Sequence, residues 1–375
     1  MGIVAASVDW IMWVLSYGLP FLAVLTLIVF IHELGHFLVA RWCGVTVETF
    51  SVGFGRAITS WYDHKGTQWK IAWIPLGGYV KFQGDANAAS LPADSRGPHK
   101  PGDFHTAPVL HRAAVVVAGP IANFLLAIGI FAASAMIVGT AVSPPVVEEV
   151  RPGSAAEAAG IQPGDRVVAI DGEKITSFTQ IQRIVSDRAG DELAITLERD
   201  GREIALQVTP RMTEVQDSLG GTIEMGLLGI SKDVSQDLVY ERKGPIEALT
   251  LGVSETYFVV ERTLSYLKGM VLGRVSPDQL AGPLGIAQIS GQAASVSLAA
   301  LFHLAAVLSV SIGLINLFPI PMLDGGRALF VFIEILRGGR RVAPEKEALV
   351  HLTGFALLMA GVLIVTWFDI SRLVS

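Results

Sequence analysis

Residues 19–43 read LPFLAVLTLIVFIHELGHFLVARWC, and this stretch decides the fold. A bilayer core needs about 20 apolar residues of helix to cross it, and residues 19–40 supply them with only His32, Glu33 and His36 ionisable. An ionisable side chain at membrane depth costs on the order of a few kcal/mol unless it is paired or metal-bound. The pattern H32-E-L-G-H36 gives such a binding. Two imidazoles four residues apart project from one helix face and can share a zinc ion, and Glu33, one step round, can reach a water on that ion. Polar residues that merely glue helices together would not need this spacing. A zinc helix of a soluble protein would not carry lipid-like flanks.

The rest of the chain agrees with a membrane setting. At 375 residues with 51% hydrophobic and 17% charged side chains, and a mean hydropathy of +0.52, it is too apolar for an ordinary soluble protein. Residues 113–140, 296–317 and 348–367 are further candidate spans, making about four transmembrane helices. Basic residues gather after the first span (Arg41, Arg56), before the second (Lys100, Arg112) and between the last two (Arg327, Arg337, Arg340, Arg341, Lys346), which marks those loops as cytoplasmic. Both termini are then expected on the outer side. The first nineteen residues carry Asp9 but no Lys or Arg, and the apolar run after them is too long for a signal-peptide core, so the N-terminus is expected to be retained. A formal charge of −6 and a pI near 5.8 argue against nucleic acid as a partner. The single cysteine, Cys43, can form no internal disulfide and reads as a small apolar side chain.

Three domains follow: a membrane half over 1–142, an outer domain over 143–243, and a second membrane half over 244–375. The middle one alternates β-branched runs with the turn signals Pro152-Gly153, Pro163-Gly164-Asp165, Asp171-Gly172 and Asp200-Gly201. Its string VVEEVRPGSAAEAAGIQPGDRVVAIDGEKI resembles a PDZ domain, with a short helix over 155–159 and a hairpin at Asp171-Gly172. From 245 to 272, Ile246, Leu249, Val253, Tyr257, Val260, Leu264 and Leu267 recur at helical spacing, as in a helix on the membrane surface or packed against the spans. Residues 85–103 read as a flexible cytoplasmic loop.

Two histidines leave zinc short of a ligand. The segment N316-L-F-P-I-P-M-L-D-G-G326 offers Asp324 beside the third span. Taken alone, Asp324 could equally be the N-cap of a helix over 325–336. Beside HELGH it completes a His₂Asp set with an open fourth position. Pro319 and Pro321 break the helix, and irregular backbone at membrane depth is tolerated where it lines a cavity. Asn316 could contact substrate or an oxyanion there, or make an interhelical hydrogen bond. Residues 69–82, WKIAWIPLGGYVKF, have a β-like run on each side of Pro75 and of Gly77-Gly78 and read as a hairpin, either dipping toward the site or on the surface. Gly77, Gly78 and Tyr79 are its candidate substrate contacts. The remaining histidines, His351 among them, have no partner at ligand spacing and read as structural.

HELGHFLVARWCGV from His32, SVGFGR from Ser51, PLGGYVKF from Pro75, AGPIANF from Ala118, the PDZ-like string, AGPLGIA from Ala281 and NLFPIPMLDGG from Asn316 together resemble the site-2 protease family of intramembrane metalloproteases, in its regulator of sigma-E protease branch. The resemblance implies a polytopic α-helical membrane protein with a small inserted periplasmic PDZ domain, set in a bacterial inner membrane. It implies Zn²⁺ held by His32, His36 and Asp324, with Glu33 as general base. It further implies substrates that are transmembrane segments of single-pass proteins, such as anti-sigma factors or signal-peptide remnants. The chain departs from the family's best-known members in carrying one recognisable PDZ domain where they carry two.

Overall fold

The computed structural model describes residues 12–85, 101–216, 222–232, 239–273, 281–340, 342 and 344–374. The N-terminal residues 1–11, expected on the outer face, and 86–100 of the expected flexible loop lie outside the described residues. The chain divides into two compact units, the second consisting mainly of Ser134–Glu247.

The first unit is helical. A π turn, Val14–Gly18, leads into α1 (Leu19–Trp42), which buries Val24, Ile28, His32, His36, Phe37 and Ala40 along one stripe. The helix stops where Gly44 takes φ 77°: its N–H bonds to Arg41 O and that of Val45 to Ala40 O, a Schellman closure that only glycine enters without strain. Next come a sheet of β1 (Val47–Tyr62) and β2 (Gln68–Phe82), then α2 (Val109–Ile137). A methyl group on Gly35 would stand 2.5 Å from Ala118 O, so glycine is what lets α1 and α2 close up. Helices long and apolar enough to cross a membrane cover Val14–Trp42, Val109–Ile137, Leu298–Leu317 and Leu349–Ser371, the four expected places.

The expected hairpin over 69–82 is built differently. Its two halves do not pair with each other. Residues 78–82 pair with 47–52 of β1, and 68–72 pair with both 49–52 and 57–62, so the one tight turn is at 63–67. The cause is Asp63. Its carboxylate accepts from the Lys65 and Thr67 N–H groups, the Trp69 indole and the Arg41 guanidinium. Although burial alone would raise it, these donors hold the Asp63 carboxyl at about 2.

The 245–272 pattern forms one helix, Pro245–Val271. Its part in the first unit buries the small residues Ala248 and Thr256, with Gly252 against Ile128 O of α2, while Leu249, Val253 and Tyr257 are exposed. Most of the apolar row that marks the helix in sequence is therefore turned outward, while Val260 of that row packs against the core formed by Ala127, Phe131, Ala306 and Val310.

The second unit is β-rich. Its strands are β3 (Thr140–Val142), β4 (Glu149–Val150), β5 (Arg166–Ile170), β6 (Glu173–Lys174), β7 (Leu193–Arg199), β8 (Arg202–Val208), β9 (Arg211–Gln216), β10 (Thr222–Leu227), β11 (Ile230–Ser231) and β12 (Val239–Glu241). The four-stranded sheet runs β6-β5-β7-β8, and β9 pairs with β10, β4 with β11 and β3 with β12. Two short helices, α3 (Ala155–Ala158) and α4 (Phe178–Asp187), cover a core that includes Val147, Val167, Ile170, Ile181, Leu193, Ile195 and Leu197. Asp171-Gly172 and Asp200-Gly201 take positive φ and form the turns joining β5 to β6 and β7 to β8, as those dipeptides predict.

Five helices complete the described chain: α5 (Pro245–Val271), α6 (Pro283–Val296), α7 (Leu298–Leu317), α8 (Asp324–Leu336) and α9 (Pro344–Val374). The α6 helix is too short to span and was not anticipated. It lies against α1 and the π turn before it, where Gly291 meets Ser16 and Tyr17 with no room for a side chain.

Candidate metal centre

The site begins with the α1 stripe. His32 and His36, one turn apart and both buried, place their Nε2 atoms 3.2 Å from each other. The second contribution arrives from α8. Asp324 is its first residue, Leu323 occupies the N-cap position, and the Asp324 side chain makes no capping bond, so the capping alternative fails. Its Oδ2 instead lies 3.0 Å from His32 Nε2 and 3.3 Å from His36 Nε2.

These spacings match a ligand set. Zinc bonds of about 2.0–2.1 Å at tetrahedral angles put neighbouring ligand atoms about 3.3 Å apart. Asp324 Oδ2 is buried and makes no hydrogen bond, although two ring nitrogens face it. Three electron-pair donors converging in a buried place call for a cation, and His32, His36 and Asp324 could hold one.

The other ring nitrogens are already committed. His36 Nδ1 lies 2.7 Å from Val115 O and can only donate there, leaving Nε2 free as a ligand. His32 Nδ1 faces the Asn123 amide at 3.2 Å. With the amide turned so that Oδ1 accepts from Nδ1–H, the same tautomer results, and the buried Asn123 Oδ1, otherwise unpartnered, is satisfied. A methyl group on Gly119 would overlap the His36 ring and crowd His32. Val115, Gly119 and Asn123 are spaced by four along α2, so one helix stripe backs both histidines.

Sequence reasoning assigned none of these three a role. The signal was present as AGPIANF, whose Gly119 and Asn123 share a helix face. What could not be read was that this face meets α1.

The remaining predicted residues divide. Gly78 comes to the site: a methyl group there would meet Ser51 O, Val29 and, at 3.4 Å, Glu33 Cγ, so β2 runs directly past Glu33. Gly77, at φ 136°, faces the Phe54 ring. Tyr79 stacks on Phe54 with ring centroids 6.1 Å apart, and Lys70 Nζ lies 6.0 Å from the centre of the Tyr79 ring. Asn316 is half-buried in the last turn of α7. Glu33 is half-buried on α1 beside the histidines. Arg327 approaches Asp324 Oδ1 at 3.8 Å, from one turn further along α8.

Residues 20–361 match the model of peptidase family M50. The chain is similar to a protein of Agrobacterium fabrum named as a zinc metalloprotease, with 46% identity over 96% of this chain and 97% of the relative. It is also similar to the metalloprotease MmpA of Caulobacter vibrioides, at 38% identity over 94% of each, and to the zinc metalloprotease RasP of Geobacillus kaustophilus, at 31% identity over 94% and 97%.

Proposed function

The chain belongs to peptidase family M50, the site-2 proteases, and from that premise we propose that this zinc metalloprotease cuts peptide bonds inside the transmembrane helices of single-pass proteins. The observation that carries the reading is the convergence of His32 and His36, on the first apolar span, with Asp324 at the start of α8, just after the third. In this reading those three residues hold zinc and Glu33 is the general base. Zinc, when bound, supplies a Lewis acid that acidifies water and polarises a peptide carbonyl. Val115 and Asn123 keep the imidazoles in the tautomer that presents Nε2. Glu33 accepts a proton from the attacking water and delivers it to the departing amine nitrogen.

A helical substrate hides its peptide groups in its own i to i−4 bonds, so it must unwind before it can be cut. The passage of β2 beside Glu33 supports a strand-addition role, in which the unwound segment pairs with backbone near Gly77 and Gly78. Asn316 is the candidate for contact with the substrate carbonyl. The β-rich unit serves as the PDZ domain that admits substrates already shortened on the outer side, with anti-sigma factors and signal-peptide remnants as the substrate classes. The protein then sits in a bacterial inner membrane with both termini and this unit periplasmic.

The test is cleavage of a tagged single-pass helix by the purified protein in detergent, wild type against Glu33→Gln, with zinc measured on both. Cleavage should vanish in the variant while zinc stays. Equal cleavage by both, or a zinc-free active protein, ends the proposal.

A further inference from the structure

The segment between α7 and α8 aims Asp324, and it does so through an unfavourable turn. Met322 has φ 77°, in the left-handed region that a non-glycine residue rarely enters. The loop bonds to itself through Ile320 N–H to Phe318 O and Leu323 N–H to Ile320 O. Pro319 and Pro321 have no N–H to offer. That leaves the Met322 N–H, which donates to His351 Nδ1 of α9 at 3.2 Å.

His351 is 4% exposed; its ring lies 5.6 Å from the Phe330 ring of α8, and its Nε2 is 3.9 Å from Glu347 Oε1 one turn back along α9. One turn on, Gly354 lies so close to Pro321 that a methyl group there would overlap the proline ring and stand 2.8 Å from its carbonyl. Residues i and i+3 share a helix face, so one face of α9 provides both the acceptor for Met322 and the seat for Pro321. Two independent contacts therefore hold the turn immediately before Asp324.

We infer that His351 and Gly354 are positioning residues for the metal ligand Asp324, clamping the left-handed turn that points its carboxylate between His32 and His36. The inference rests on the reading of Asp324 as a ligand. It gives the last helix a task in the centre although, among the described residues, none of α9 belongs to the donor group.

Zinc affinity, by competition with a chromophoric chelator, and kcat and KM for a tagged single-pass helix are measured on the full-length protein in detergent. His351→Leu removes the acceptor and should weaken zinc binding by about ten- to hundredfold, the usual effect of losing a ligand's supporting contact, lowering kcat with KM little changed. His351→Asn, whose Oδ1 stands where Nδ1 stood, should recover affinity to within a few-fold. Gly354→Ala favours the helix by propensity and yet should weaken zinc, since its methyl group pushes α9 off Pro321.

Wild-type zinc affinity in both Gly354→Ala and His351→Leu overturns the clamp, as does His351→Asn as weak as His351→Leu. Asp324→Ala separates the two claims. If it keeps zinc, the ligand assignment fails and the clamp falls with it. If it loses zinc while His351→Leu and Gly354→Ala keep it, only the clamp is wrong.

Discussion

Gly119 has no space for one more carbon, because the position its Cβ would take is filled by the His36 ring with His32 close behind. Alanine there favours the α-helix by about 1 kcal/mol through propensity alone, so Gly119→Ala should not unfold α2. It should instead push both imidazoles out of register with Asp324, abolishing zinc binding and cleavage in a protein whose helix content and elution in detergent are unchanged. A Gly119→Ala variant that binds zinc normally would mean the ring positions differ from those described. The same reasoning explains why the chemistry of this centre was legible in sequence and its support was not. HELGH and LDGG announce themselves because ionisable residues are expensive in an apolar run. Gly119, Val115 and Asn123 are ordinary in an apolar run, and only the packing of α2 on α1 gives them work.

Between elements, the contact that ties α2 to α8 is an ion pair. Arg112 donates to both carboxylate oxygens of Glu334, at 2.9 and 2.7 Å, and its Nε to Ala107 O, with both side chains nearly buried. A buried pair is poor evidence of net stability, but removing one partner strands a charge and costs about 3–5 kcal/mol. Arg112→Met should therefore destabilise strongly, and the Arg112→Met, Glu334→Leu double variant should recover much of the loss, read by thermal unfolding in detergent. If the single variant unfolds like wild type, the pair is not tying the helices. Sequence placed Arg112 only as a topogenic charge near a span and gave Glu334 no role, since nothing local links residues 222 positions apart. The hairpin failed for a related reason: the runs on each side of Gly77-Gly78 are β-like, but which strand each half pairs with is settled by β1 and the Asp63 turn. Short-range patterns were reliable where a dipeptide alone fixes the backbone, as at Asp171-Gly172 and Asp200-Gly201.

Across the whole molecule, the four spans were visible because bilayer thickness sets a length that composition must meet, whereas α6, too short for that rule, was not. The consequence of assembling the centre from both ends of the chain is a coupling between metal and fold. His32 and His36 stand on the first span, and Asp324 follows the third, with the β-rich unit inserted in the sequence between them. No donor set of this kind exists until α1 and α8 are packed, so zinc binds the folded state far better than the unfolded one and stabilises it by mass action. With free zinc at about a thousand times Kd, that linkage amounts to about 4 kcal/mol. Removing zinc with a chelator should lower the thermal midpoint of the wild-type protein in detergent, and adding zinc back should restore it. Asp324→Ala should melt near the chelated wild type and respond to neither treatment. A wild-type midpoint indifferent to chelation, in protein shown to have lost its zinc, would mean that the three donors are held in place by packing alone, and that the metal is a guest of the fold without contributing to it.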